Sequence, residues 1–271
     1  PKLFPSLIAL VALILAGCQL SEQNSSSSPV LGDLHHQFPV SAAARPHFEE
    51  GLLLLHSFEY DDAREAFQQA RAADATEVMA LWGETMTHYK ALWGLQDVEA
   101  GREVMSMLGT SAEARLQRAE AGIERDFWQG LEYLYGEGEQ KARNARYTEH
   151  MQALYERYPK NEEVAAFYAL GLMWSGDLGT PSEEAETAAR VAQSVLAENP
   201  NHPGALHYTI HAYDNPVFAP RAVEAANRYA EVAPDATHAL RMPSRLSLAL
   251  GVWEVVVRSN EASSAASVAR R

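Results

Sequence analysis

From His35 onward, apolar residues recur three and four positions apart and alanine is frequent. That is the pattern of amphipathic helices that bury one stripe. No run of alternating β-branched residues predicts a strand. Pro159, Pro200 and Pro234 punctuate the pattern. Each stands where a helix is expected to stop, because proline lacks the N–H that would continue it. Upstream of each, the same offsets carry residues suited to burial: Tyr147, Met151 and Leu154; Ala188, Ala192 and Val195; Ala222, Ala226 and Tyr229. Pro200 and Pro234 are 34 residues apart. A period of this size predicts stacked helix pairs, since one pair cannot bury its apolar face without neighbours. The expected fold is an all-α helical-repeat solenoid.

The start of the chain follows another pattern. Lys2 precedes a short apolar run that ends at Leu15-Ala16-Gly17-Cys18. The run is shorter than the roughly 20 apolar residues that span a bilayer, and a basic start with small residues at its end reads as a secretory signal. The small residues before the only cysteine resemble the lipobox of bacterial lipoproteins. That resemblance implies lipidation of Cys18, removal of residues 1–17 and, with Gln19 next, an outer-membrane anchor facing the periplasm. Residues 18–33, with the serine-rich stretch Ser21 to Pro29, are expected to form a flexible tether, because they offer little to bury. The repeat domain is placed at 34–262, with an irregular helical insert at 94–146, and 263–271 reads as a tail. A start at Pro1 instead of Met and a weak Ala/Ser ending read as a fragment.

The helix pairs resemble the tetratricopeptide repeat. Repeats are expected to start near Ala44, Thr76, Val164, Pro203 and Thr237, with Gly51, Gly83 and Gly171 where two helices approach closely. The segments His35–Val40, Gly51–Phe67, Met79–Glu84, Tyr147–Pro159, His207-Tyr208-Thr209-Ile210-His211 and His238–Arg245 resemble a widespread bacterial family of tetratricopeptide-repeat proteins. The resemblance implies a fold and motif positions, not an activity.

The repeat resemblance also implies which positions line a concave face. They include Glu84 in the repeat at Thr76 and Tyr168 in the repeat at Val164. The repeat at Pro203 contributes His207, His211 and Asp214, and the repeat at Thr237 contributes His238, Arg241 and Arg245. His207 and His211 are one helical turn apart and can present two imidazoles to one divalent metal ion, with His238 as a further ligand. Relatives carry His-Met-Pro-Ser-His where this chain reads Arg241-Met242-Pro243-Ser244-Arg245. Arginine cannot ligate a cation, but an arginine pair suits carboxylates and phosphates. Two readings follow. The leading one is a groove that takes a peptide, a protein segment or an anionic ligand. The alternative is a metal-binding protein or metal-dependent hydrolase using the three histidines.

Charge narrows the partners. The chain carries 22 Lys+Arg against 36 Asp+Glu, a net charge of −14. That argues against nucleic acid, whose phosphates need a basic face. One cysteine leaves no disulfide framework and no Cys-rich metal cluster. No phosphate-binding loop, nucleophile elbow or H-E-x-x-H pattern occurs. No catalytic residue and no resident cofactor are therefore assigned. The expected partners are a protein or peptide and, through Cys18, a lipid bilayer.

Overall fold

The computed structural model describes residues 28–35, 38–175 and 180–269. The expected signal segment, Cys18 and the first part of the tether lie outside the described residues. The described chain is an all-α helical-repeat solenoid whose consecutive helices pack on one another.

The helices are α1 (Arg45–His56), α2 (Tyr60–Ala73), α3 (Val78–Met86), α4 (Val98–Leu108), α5 (Ala112–Arg118), α6 (Ile123–Leu134), α7 (Gln140–Arg157), α8 (Glu162–Ser175), α9 (Glu183–Glu198), α10 (Pro203–Ala212), α11 (Val223–Val232), α12 (Thr237–Leu250) and α13 (Trp253–Ala269). As expected, α7, α9 and α11 end just before Pro159, Pro200 and Pro234. The nine residues at matching offsets upstream of these prolines are all buried. Local chemistry fixes the starts. The Ser182 hydroxyl accepts from the Ala185 amide at the start of α9, and His202 Nδ1 accepts from the Ala205 amide at the start of α10. Each satisfies a donor that the first helical turn leaves free. Gly251 takes a left-handed φ of 73° at the C-cap of α12, which only glycine adopts cheaply.

The helices form two layers. In α3 and α10 every residue is buried. The outer helices α2, α9 and α11 bury one stripe only. Among the inner helices, α1 packs on α3 and α10, and α3 packs on α6. The contact between α1 and α10 brings the first repeat onto a late one. Gly204 makes it feasible, since a Cβ there would lie 2.4 Å from His56 Nδ1. Aromatic rings fill the space the inner helices enclose. Phe38 meets Phe48, Trp82 and Phe127, and Trp82 meets Phe167 at 5.2 Å.

Three features depart from the sequence pattern. First, the tether does not extend to residue 33. Leu31 is buried, Val30 N donates to Asp235 Oδ2 at 2.7 Å, and Asp33 N donates to the Asn201 carbonyl at 3.1 Å. Further on, His35 N donates to Glu162 Oε1, and Ser41 N to Glu77 Oε2 at 2.9 Å. The segment thus docks along the N-terminal ends of α12, α10, α8 and α3. The buried side chains of Leu31, Phe38 and Val40 and several satisfied backbone groups hold it, which composition alone does not reveal. Second, a small antiparallel pair, Tyr89–Lys90 (β1) with Leu95–Gln96 (β2), leads into the insert, which holds α4 to α6. In addition α13 continues past residue 262, so the expected tail is helical as far as Ala269. Among the described residues no helix is long and apolar enough to cross a membrane.

Candidate functional site

Helix α10 carries His207 and His211 one turn apart, and α12 brings His238 in its first turn. The register of α12 is set by Glu59, in the turn between α1 and α2. Its Oε1 accepts from Thr237 Oγ1 at 2.6 Å and from His238 N at 3.0 Å. An acidic group at a helix N-terminus is favoured by the free amides and the helix dipole. Together these contacts converge three imidazoles. His211 Nε2 and His207 Nε2 are 3.0 Å apart, and one nitrogen from each of His207, His211 and His238 lies within 4.8 Å of the others.

The hydrogen bonds fix much of the proton arrangement. His207 Nδ1 donates to the His56 carbonyl at 2.7 Å, which leaves His207 Nε2 as an acceptor. His211 Nε2 then donates to it. His238 Nε2 is buried and has no hydrogen-bond partner. All three imidazoles are held neutral well into acid. Burial is the main cause for each. For His207 the neighbouring His211 and His238 add to it. For His211 the further causes are His238, Arg245 and Arg241. For His238 they are Arg241 and Arg245, and its pKa falls to about 3. Neutral imidazoles are the form that ligates metal.

Phe58 forms one wall. Its ring lies 4.3 Å from that of His207, 5.7 Å from His238 and 6.0 Å from His211. It is the one non-glycine residue with positive φ, 58°, among the described residues. A left-handed conformation costs about 1–2 kcal/mol for such a residue. The end of α1 sets it there: Phe58 N donates to the Leu55 carbonyl and Glu59 N to the Leu54 carbonyl, both at 3.0 Å, the Schellman pattern with its left-handed residue after the C-cap. Trp93 forms the lip: it is half exposed, and its ring lies 6.1 Å from His238. At the mouth, Arg245 pairs with Asp214. Arg241 is exposed and makes no ion pair among the described residues.

A second histidine cluster lies next to the first. His56 Nε2 donates to Glu163 Oε2 at 2.8 Å, and His202 Nε2 to Glu163 Oε1 at 3.3 Å. His56 Nδ1 accepts from the Tyr208 hydroxyl at 2.9 Å, and His202 Nδ1 caps α10. All three side chains are fully or almost fully buried. Burial alone would raise the Glu163 carboxyl. The His56 and His202 imidazoles on its two oxygens outweigh that and hold it at about 2. Each ring nitrogen and each carboxylate oxygen here already has a partner, so the cluster is a closed network.

The structure thus brings His207, His211, His238, Asp214, Arg241 and Arg245 to one region. It places Glu84 and Tyr168 elsewhere. Glu84 is buried against α2, where Gln68 donates to it at 2.8 Å and Arg71 faces it at 3.2 Å. Tyr168 stacks on Tyr155 of α7 at 5.6 Å. At four of the expected groove positions the side chains are buried: His207 and His211 where α1 packs on α10, Glu84 beneath α2, and Tyr168 against Tyr155. Sequence reasoning missed His56, Glu163 and His202, whose partners lie far apart along the chain. It also missed Phe58 and Trp93. The run Leu52-Leu53-Leu54-Leu55-His56 was the available signal, a histidine ending a strongly apolar helix. No protein-family model matches the chain, and no curated protein matches it.

Proposed function

We propose that this chain is a metal-binding helical-repeat protein, its repeats of the tetratricopeptide type, that holds one divalent first-row cation on His207, His211 and His238. The observation that carries this reading is the convergence of the three imidazole nitrogens within 4.8 Å, with His238 Nε2 buried and unpartnered. Ligands about 2.0–2.1 Å from a tetrahedral zinc stand roughly 3.3 Å from one another, so small side-chain shifts complete the site. The His207 Nδ1–H bond to the His56 carbonyl is the outer contact that orients a metal-bound imidazole. On binding, His211 moves its proton from Nε2 to Nδ1. Three imidazoles suit zinc, copper, nickel or iron and leave a fourth position open.

By its N-terminal segment, the protein belongs on a bacterial envelope membrane, anchored through Cys18 and facing the periplasm. A peptide laid along the inner face would have to displace α1 and Phe38. The anion-accepting part of that reading keeps support from Arg241.

Elemental analysis tests the proposal. Protein loaded with excess zinc and then dialysed carries one zinc per chain, and His238→Gln carries none. Wild-type protein without stoichiometric metal ends the reading.

A further inference from the structure

The mouth of the three-imidazole site has a charge problem. A divalent cation on three neutral imidazoles keeps its full charge, and Arg241 and Arg245 follow His238 one and two turns along the same face of α12. Asp214 is engaged with Arg245. Glu59 is committed to the start of α12 through Thr237 and His238. Lys90 adds a further cation beside the aromatic lip, 5.5 Å from the Tyr60 ring. Tyr60 in turn meets Trp93 at 5.9 Å. This basic rim belongs to a chain of net charge −14. Bound metal would leave an uncompensated positive field there, which an anionic ligand relieves.

Resting on the metal reading, we infer that the open position takes a small oxyanion, a carboxylate or a phosphate monoester. One oxygen binds the cation, and the others accept from the Arg241 guanidinium, while an apolar substituent lies on Trp93. Arg241 fits the role because it is exposed and has no competing ion pair among the described residues, and its fork matches two oxygens at once. Trp93 fits because 49% of its surface is exposed beside His238. An exposed indole offers a flat face to an aromatic or aliphatic group.

Calorimetric titration of the full chain tests this, with phenyl phosphate and inorganic phosphate as probes. The zinc-loaded protein binds both, and the metal-free protein binds neither. Arg241→Gln keeps its zinc and weakens both probes roughly tenfold or more. Trp93→Ala weakens phenyl phosphate about fivefold and leaves inorganic phosphate unchanged. Zinc-loaded protein that ignores phenyl phosphate, or an Arg241→Gln variant with wild-type affinity, overturns this inference and leaves the metal reading standing. Loss of zinc from Arg241→Gln also overturns it, because the guanidinium is assigned to the anion and not to the cation. Wild-type protein that takes up no zinc overturns both.

Discussion

Two histidine clusters sit side by side on α1, α8, α10 and α12, and they differ in where their hydrogen bonds end. In the His56–Glu163–His202 cluster, every polar atom has a partner inside the protein. In the His207–His211–His238 cluster, two nitrogens face each other and a third, His238 Nε2, has no hydrogen-bond partner among the described residues. The two touch through one bond, from His207 Nδ1 to the His56 carbonyl. The contrast separates buried histidines that hold a fold together from buried histidines that await a ligand. Burial and residue type are shared, so neither marks a site. An unpaired buried nitrogen that converges with two others does, because an unpaired buried polar group costs about 1–3 kcal/mol unless something meets it.

If that contrast is right, substitutions in the two clusters have opposite profiles. Glu163→Ala leaves two buried imidazole N–H groups unpaired and costs about 2–6 kcal/mol. Urea denaturation should show a large fall in midpoint. Acidification probes the same cluster. The Glu163 carboxyl titrates at about 2 when folded, against an ordinary value of 4.5. Its contribution is therefore present above about 4.5 and is lost as the pH falls towards 2, on the order of 3 kcal/mol in total. Burial also lowers His56, which adds a loss of the same sign below 6.5. Stability measured against pH should fall along this course, and Glu163→Gln should flatten the lower part.

Gly204→Ala sets a Cβ against His56 and tests the closure that both clusters share. Overpacking of this kind costs about 1–3 kcal/mol. Thermal melting should register it, with loss of zinc uptake if the His56 carbonyl moves away from His207. The smallest effect on stability belongs to His238→Gln. His238 Nε2 has no hydrogen bond to lose, so metal-free protein should change by less than about 1 kcal/mol in the same denaturation assay. Equal destabilisation by Glu163→Ala and His238→Gln would erase the distinction between the clusters.

The helices were legible in the sequence, and so was the approach of His207, His211 and His238 to one another. The prolines at 159, 200 and 234 and the matched residues before them located three helix ends. The spacing of His207 and His211 placed them on one face, and the repeat period placed His238 opposite them. What local patterns do not carry is the closure. It depends on α1 meeting α10, a contact between segments some 150 positions apart, made feasible by Gly204. That closure buries His207 beside the His56 carbonyl and sets the Phe58 ring 4.3 Å from the His207 ring. Docking of residues 30–35 was hidden for a related reason, since the amides of Val30, Asp33 and His35 meet partners far along the chain.

X-ray absorption at the zinc edge of the loaded protein tests the central claim most directly. The account predicts a shell of nitrogen and oxygen neighbours at about 2.0–2.1 Å with outer scattering from three imidazoles. It also predicts that this pattern vanishes in the His211→Gln, His238→Gln double variant. A spectrum with fewer than two imidazoles, or one unchanged in the double variant, would contradict it.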